Sequence, residues 1–332
     1  MNTLKNKINS FKKILILVQG PYVKTTSNLI YELKEIFPLN KIILSCYDES
    51  IDESIKNLVF LKRNSDPKSI LVPPRSAPLN LKRQATTIYY GCKDFDEEWV
   101  MKIRSDIEIL NSKKLYMAVI KLFKNLQKKK DIRLLTLNTG SLDIFCHYQM
   151  PFHFNDWFFI CKRKNLLENC NYLRDINEQK LIDNFNPQRF KNYHHKHKYS
   201  LLFHTEQLIH FCDLLLIRKK MAYCCEMKKS IILRNIIWVG KYIMIFTMRD
   251  LGIRSVKHGY PKFGSHLVGL SFYSIELYKL ICFGPKNLRF IFFNLLKLHG
   301  LFRKLLFLIF KYTSKLNFII KIIFYKIINS FN

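Results

Sequence analysis

Two carboxylates placed two residues apart, Asp106 and Glu108, are the first residues of this chain whose spacing could support chemistry. They lie in residues 99–110 (WVMKIRSDIEIL), where apolar and charged side chains alternate. Because successive side chains of a β-strand point to opposite faces, the pattern predicts one strand with an apolar face and a charged face. Paired carboxylates on one face could bind a hard divalent cation that in turn binds a diphosphate. The alternative is an exposed strand whose alternating charges form weak surface ion pairs.

Two further carboxylates are candidates for proton transfer. Asp156 lies in the aromatic segment 151–161 (PFHFNDWFFIC), and Glu206 lies in the apolar segment 201–216. Burial among apolar side chains raises the pKa of a carboxyl group toward the range that suits a general base. Asp156 is the first candidate for this role and Glu206 the second. The alternatives are a hydrogen-bonded aspartate at the start of a buried strand, and a structural glutamate held by a partner.

A ligand site is predicted at the end of the first strand. Residues 14–18 (ILILV) are typical of a strand buried on both faces of a parallel sheet, and the turn residues Gln19, Gly20 and Pro21 follow it. Residues 41–62 continue with a strand, a helix and a strand, which predicts a right-handed α/β unit. Ligands of such sheets bind at the carboxyl ends of the strands. The dinucleotide fingerprint GxGxxG and the P-loop GxxxxGK[ST] are both missing from the sequence.

Polar side chains also converge at the start of a predicted helix over residues 80–92. Asn80, Arg83 and Gln84 stand at positions i, i+3 and i+4, which share one helix face. They could contact a ligand, or they could form an ordinary solvated helix start.

Composition limits the class of protein. The chain has 332 residues, 48% of them hydrophobic, so it can bury a sizeable core and is not mainly disordered. Its formal net charge of +30 favours polyanionic partners: nucleic acid, nucleotide diphosphates or an anionic membrane face. Nine cysteines without a CxxC motif favour free thiols. The apolar run near the N-terminus is too short for a signal peptide, so the expected location is the cytoplasm.

The C-terminal region predicts a membrane contact. No acidic residue follows Glu276, while lysines and arginines recur through residues 287–331, which are rich in Leu, Ile and Phe. This pattern is typical of basic amphipathic helices that lie on an anionic membrane surface. It predicts a peripheral protein on the inner face of the cytoplasmic membrane. The alternative is a helical tail that packs on the rest of the chain.

Taken in order, four of these features resemble the WavE lipopolysaccharide-synthesis family, over about residues 14–207. They are the early strand ending in Gln19-Gly20-Pro21, the helix with Asn80, Arg83 and Gln84, the segment KIRSD at residues 102–106, and NDWFF at residues 155–159. That family is similar to nucleotide-sugar-dependent glycosyltransferases of the GT-A fold. The resemblance therefore implies an α/β fold with a mixed sheet flanked by helices, extended here by a basic helical C-terminus.

The resemblance also implies roles for the candidate residues. Asp106, and with it Glu108, would bind Mn²⁺ or Mg²⁺ on the sugar-nucleotide diphosphate, and Asp156 or Glu206 would deprotonate the acceptor hydroxyl. Lys102 and Arg104 would neutralise the phosphates. With them, the remaining candidates would surround the nucleotide: Gln19, Gly20, Pro21, Asn80, Arg83 and Gln84. The expected acceptor is a lipid-linked saccharide.

The predicted organisation is a catalytic domain over residues 1–218, its continuation or an acceptor region over 219–285, and a basic amphipathic tail over 286–332. Two other functions remain open. One is a basic nucleic-acid-binding protein, although no RNP motif, zinc finger or helix-turn-helix pattern is present. The other is a catalytically silent, glycosyltransferase-like interaction protein on the membrane.

Overall fold

A computed structural model gives the fold of the chain, and it describes residues 13–47, 50–69, 80–129, 133–137, 155–175, 233, 235–256 and 272–313. The strands of these ranges are β1 (Ile14–Gln19), β2 (Ile42–Cys46), β3 (Phe60–Arg63), β4 (Trp99–Arg104), β5 (Ile107–Ile109), β6 (Leu134–Leu137), β7 (Phe158–Lys162), β8 (Ile243–Phe246) and β9 (Ile253–Ser255). The α-helices are α1 (Lys24–Ile36), α2 (Glu53–Lys56), α3 (Leu81–Cys92), α4 (Ser112–Lys129), α5 (Arg163–Arg174), α6 (Met248–Leu251), α7 (Phe272–Phe283) and α8 (Arg289–Thr313).

Seven strands form one mixed sheet in the order β3-β2-β1-β4-β7-β6-β8. Neighbouring strands are parallel except at β7, which runs antiparallel to both β4 and β6. The predicted parallel unit at the start of the chain is therefore confirmed. All six residues of β1 are buried, as expected for a central strand covered on both faces.

Helices cover both faces of this sheet. On one face, Ile14, Ile16 and Val18 of β1 share a hydrophobic core with side chains of α1 and α4. On the other face, α3 lies against β1 so closely that a Cβ atom at Gly91 would stand 2.6 Å from Cδ1 of Leu17. Glycine at this position lets the helix backbone approach the sheet. The predicted α/β fold class is confirmed: a mixed sheet flanked by helices, followed by a basic C-terminal helix, α8.

The prediction of one continuous strand over residues 99–110 is wrong. Strand β4 ends at Arg104, residues 105–106 form a turn, and β5 pairs antiparallel with β9 in a separate two-stranded sheet. Backbone partners from distant segments hold the turn: the Ser105 amide donates to the carbonyl oxygen of Gln19 (3.0 Å), and the Val256 amide donates to that of Asp106 (2.9 Å). The charged face is not a solvent-exposed face either, because Lys102 is buried.

The end of the described chain is helical. Helices α7 and α8 pack against each other. None of the helices in the described ranges is both long enough and apolar enough to cross a membrane. The domain boundaries at residues 218 and 285 stay predictions, although β8, which follows residue 218, supplies the edge strand beside β6.

Candidate functional site

A cavity of about 240 Å³ lies at the carboxyl edge of the parallel strands. Gln19 ends β1 and Arg104 ends β4, while Tyr47 directly follows β2, so the strand ends converge there. The cavity brings together all eight residues predicted to contact the nucleotide, and Asp156 with them. Its lining consists of Gln19, Gly20, Pro21, Tyr47, Asn80, Arg83, Gln84, Thr87, Lys102, Arg104 and Asp156.

Hydrogen bonds fasten the end of β1 to α3. The Nε2 atom of Gln19 donates to Oγ1 of Thr87 at 2.6 Å, and that hydroxyl donates in turn to the carbonyl oxygen of Arg83 at 2.9 Å. Gln19 and Thr87 are both buried. Because each polar group is satisfied, this chain of bonds fixes the first turns of α3, which carry Arg83 and Gln84, over the strand ends.

Gly20 forms part of the cavity wall where β1 meets the turn after β4. Its φ angle is 134°, in a region that L side chains rarely adopt, and an added Cβ atom would stand 2.5 Å from Oγ of Ser105. The Ser105 hydroxyl donates to the carbonyl oxygen of Pro21 at 2.7 Å. The wall therefore needs glycine at residue 20, both for its backbone conformation and for the close approach of Ser105.

Lys102 places a buried ammonium group in the cavity. It pairs in register with Leu17 on β1, so its side chain lies on the sheet face that α3 covers, and only 1% of the residue is exposed. Its Nζ atom donates to the backbone carbonyl oxygen of Asp156 and lies 5.7 Å from the centroid of the Phe159 ring. A charge held under a helix in this way is a strong electrostatic feature, because burial reduces its screening by water.

Asp156 faces Lys102 and α3 from the entry of β7. Its residue is 5% exposed, and Oδ2 accepts a hydrogen bond from Nε2 of Gln84 at 3.1 Å. The neighbouring Asn155 accepts from the backbone amides of Trp157 (2.7 Å) and Phe158 (3.2 Å), which fixes the turn into the strand. The carboxylate is thereby presented to the cavity in a defined position.

Three buried polar atoms at the start of α3 have no hydrogen-bond partner: Oδ1 of Asn80, the residue just before the helix, Nε of Arg83 and Oε1 of Gln84. All three residues line the cavity. Buried polar atoms are rarely left without a partner, so a cluster of them on one cavity wall indicates a place where a ligand or water binds.

Tyr47 and Thr87 are lining residues that sequence reasoning missed. The Tyr47 hydroxyl donates to the carbonyl oxygen of Arg83 at 2.7 Å, and the Arg83 guanidinium lies 5.3 Å from the ring centroid. Burial raises the pKa of the Tyr47 phenol well above its usual value, and the carboxylate of Asp66 adds to the rise. Tyr47 could have been found, because it follows β2 just as Gln19 ends β1. Thr87 lies one helical turn beyond Arg83.

The two carboxylates predicted to bind a metal each accept hydrogen bonds from a different arginine. Both oxygens of Asp106 accept from the Arg104 guanidinium, at 2.9 and 2.7 Å, whereas Oε2 of Glu108 accepts from Arg254 across the two-stranded sheet. Neither carboxylate lines the cavity as described above. Within the described ranges, no group of three or more His, Cys, Asp and Glu side chains could hold a metal ion. A metal held jointly by Asp106 and Glu108 does not fit this arrangement. Glu206 lies outside the described residues.

A larger groove, of about 850 Å³, runs along α4 and contains none of the predicted site residues. Four lysines and a single carboxylate line it beside apolar side chains: Lys113, Lys114, Lys121, Lys124 and Asp250. It offers little besides surface ammonium groups. The smaller cavity combines a buried lysine, two half-buried arginines, a buried carboxylate and unpartnered amide oxygens, and is the better candidate for a functional site.

Among solved structures, the chain is similar to glucosyl-3-phosphoglycerate synthase from Mycobacterium tuberculosis, whose crystals contain Mn²⁺, UDP and glucosyl-3-phosphoglycerate. The identity is 13% and the TM-score 0.33, over 48% of this chain and 62% of that one. The bifunctional IspDF from Campylobacter jejuni gives 11% identity and a TM-score of 0.32, over 51% of this chain and 45% of that chain. HddC from Yersinia pseudotuberculosis gives 13% identity and a TM-score of 0.30, over 70% of this chain and 89% of that chain.

The first two of these matches span less than two thirds of the other protein's length, and identities and TM-scores this low transfer neither a substrate nor a residue's role. No curated protein matches the chain. The match to a family is far broader. Residues 14–236 match a protein family described as WavE lipopolysaccharide synthesis. This range covers two thirds of the chain, including the strands and α3 that form the cavity, and the chain therefore belongs to the WavE lipopolysaccharide synthesis family.

Proposed function

We propose that this protein is a glycosyltransferase that uses a nucleotide-sugar donor to build lipopolysaccharide or another bacterial surface polysaccharide. One observation carries the proposal: the cavity gathers three cations, a buried carboxylate and further polar side chains from five separate segments at the carboxyl edge of the sheet. Diphosphate binding requires the cations, and proton transfer requires the carboxylate. The family's role in lipopolysaccharide synthesis agrees with this chemistry.

In the proposed reaction, the acceptor hydroxyl attacks the anomeric carbon of the donor sugar, and the bond from that carbon to the diphosphate oxygen breaks. Lys102 and Arg104 stabilise the negative charge that grows on the departing diphosphate. Asp156 takes the proton of the attacking hydroxyl, so that the products are a glycoside and a nucleoside diphosphate. Glu206 stays the second candidate for this proton transfer.

A divalent metal, Mn²⁺ or Mg²⁺, remains part of the prediction and would supply further charge neutralisation on the diphosphate. The joint site at Asp106 and Glu108 does not fit the structure, so no step of the reaction above passes through it. Asp106 already accepts two hydrogen bonds from Arg104, so a cation bound by Asp106 alone would have to use its remaining lone pairs beside that guanidinium.

The proposal is tested by thermal unfolding of the wild-type protein with UDP, GDP, CDP and their hexose esters, each with and without Mn²⁺. A ligand that binds only the folded state raises the unfolding midpoint. We expect one nucleoside diphosphate to raise it, and Lys164→Met, a change at an exposed lysine, to leave the rise intact. If no nucleotide raises the midpoint while random DNA binds in a salt-dependent manner, the nucleic-acid function replaces this one.

We also propose that α8 lies on an anionic membrane, where the acceptor is a lipid-linked saccharide. Its large exposed apolar side chains lie on one side of the helix: Phe290, Ile291, Leu295, Leu298, Leu301, Phe302 and Leu305. Leu296, on the opposite side, and Leu306 are buried, so the helix has both a packed face and an exposed apolar face. The absence of acidic residues after Glu276 supports an anionic lipid surface and disfavours a second, equally basic copy.

Vesicle sedimentation tests the membrane proposal. We expect binding to vesicles with anionic lipid and little binding to neutral ones, and the change Leu298→Gln with Leu301→Gln should weaken it. Leu39→Gln serves as the matched control, because Leu39 is 61% exposed but lies far from α8 in the sequence. Equal binding by the double variant and the control would show that α8 is not the contact, as would undiminished binding after deletion of residues 287–332.

A further inference from the structure

The lining of the cavity includes two chemically different groups of side chains, a cationic side and an amide side, which meet where Nζ of Lys102 donates to the carbonyl oxygen of Asp156. The cationic side consists of Lys102 and Arg104, which end β4. The amide side consists of Asn80, Gln84 and Asp156, together with Nε of Arg83. A diphosphate matches the first side. The second side needs a different chemical group, which its unpartnered atoms define.

The orientation of the Gln84 amide is fixed by its neighbour. Its Nε2 atom donates to the Asp156 carboxylate at 3.1 Å, so the oxygen Oε1 is the atom that points elsewhere, and it is buried without a partner. Oδ1 of Asn80 is likewise buried without a partner. Together with the Asp156 carboxylate, the amide side therefore offers three groups that accept hydrogen bonds.

A phosphate matches this wall poorly, because its oxygens carry almost no hydrogen at neutral pH: they could accept from Nε of Arg83 but would face three other acceptors. A hydroxyl group can satisfy the wall, because its O–H donates to an amide or carboxylate oxygen while its lone pairs accept from Nε of Arg83. Water offers the same pattern, so a bound hydroxyl would replace water without loss of hydrogen bonds.

We propose that the amide side is a hydroxyl-recognition subsite, in which Asn80 and Gln84 accept hydrogen bonds from hydroxyls of a sugar ring while the cationic side holds phosphate. The inference rests on the proposed function, and it assigns the sugar of a nucleotide-sugar ligand to the wall formed by α3 and Asp156. The ring is either the pyranose of the donor or the ribose of the nucleoside, since both present hydroxyls.

Two substitutions at one residue distinguish a hydroxyl from a phosphate. Asn80→Ala removes the acceptor, whereas Asn80→Asp keeps an oxygen acceptor and adds a negative charge that repels phosphate. Asn57 is the matched control, because it is exposed beyond the end of α2, and its Ala and Asp variants make the same changes away from the cavity. Arg104→Met removes a cation from the other side.

The probes are the methyl pyranosides of glucose, galactose and mannose and the methyl riboside, measured by saturation-transfer NMR, and inorganic pyrophosphate, measured by calorimetry. We expect the wild type and both Asn57 variants to bind one glycoside. Asn80→Ala should weaken that binding about tenfold, and Asn80→Asp should retain it. Pyrophosphate should bind the Asn80→Ala variant as it binds the wild type, and should bind Arg104→Met poorly. A pyranoside signal assigns the ring to the donor sugar, and a riboside signal assigns it to the nucleoside.

The subsite is disproved if no glycoside binds the wild type, or if Asn80→Ala lowers pyrophosphate affinity as much as Arg104→Met. Melting curves that match the wild type exclude misfolding as the cause. The proposed function fails in a different way, when neither pyrophosphate nor any nucleotide binds the wild type. The glycoside measurement still decides the subsite in that event.

Discussion

The two halves of residues 99–110 have the same alternating pattern but different structural outcomes. In the first half, β4 lies between β1 and β7 and carries Lys102 and Arg104 to the cavity. In the second half, the chain turns at Ser105 and Asp106, and β5 pairs with β9 outside the central sheet. Alternation thus specified which side chains share a face within a strand, but it did not specify where the strand ends. The predictions below test how far the two halves differ in function.

The largest effect is expected from Lys102→Met, in the first half. Removing a buried cation from the diphosphate side should lower kcat/KM about a hundredfold or more, because its charge is not replaced in the transition state. Methionine fills a similar volume but leaves the carbonyl oxygen of Asp156 without its donor, so the thermal midpoint should fall as well. Transferase assays and melting curves check both outcomes, with Lys164→Met as the control at an exposed lysine. Near-normal activity would remove Lys102 from the site.

Gly20→Ala tests the junction between the halves. The substitution combines a φ of 134° with a Cβ atom 2.5 Å from Oγ of Ser105, and it should destabilise the fold by about 1–3 kcal/mol. Adding Ser105→Ala to Gly20→Ala relieves the steric contact but leaves the backbone strain. The double variant should therefore recover only part of the lost unfolding free energy. Denaturant unfolding of the single and double variants measures this. Full recovery would show that the backbone conformation costs nothing.

Asp106→Ala examines the turn itself. Both Asp106 oxygens accept from Arg104 and hold its guanidinium in place. Without them the guanidinium is no longer positioned for the phosphate, and nucleotide binding should weaken about tenfold, equally with and without Mn²⁺. Asp106→Asn, which keeps one acceptor, should be affected less. Calorimetry under both conditions separates the alternatives. A loss confined to the Mn²⁺ titration would instead make Asp106 a metal ligand.

Glu108→Gln, in the second half, should have the smallest effect. The ion pair with Arg254 is over a third exposed on each side and should contribute less than about 1 kcal/mol to stability. The charge of Glu108 also disfavours the ionised form of Glu32, whose pKa is raised first by burial and then by the charges of Glu108 and Glu35. A group whose pKa is raised in the folded state costs stability as pH rises through that pKa. Because Glu108→Gln removes one of the charges that raise the Glu32 pKa, the variant should lose less stability over that rise in pH than the wild type. Clear loss of nucleotide binding would contradict the assignment of Glu108 to a structural pair.

Much of the site could be predicted from sequence because its residues follow local rules. Gln19, Gly20 and Pro21 follow an unbroken apolar strand, and Asn80, Arg83 and Gln84 share a helix face, so each set is placed by a few neighbouring residues. Tyr47 obeys the same rule of strand ends and was missed. The metal role of Asp106 and Glu108 stays a prediction, but the shared face expected for the pair assumed that one strand continued past Ser105, where the chain turns.

The sequence by itself determined the α/β class, most of the strands, most of the residues that line the cavity and the basic, amphipathic character of α8, since these depend on patterns within short segments. Tertiary structure decided where β4 ends, because the turn is held by Gln19 and Pro21, the latter 84 residues earlier in the chain. It also decided that Glu108 pairs with Arg254, 146 residues later in the chain, and that one apolar face of α8 stays exposed. Contacts between segments so far apart leave no periodic signal in the sequence, and they set which charges meet.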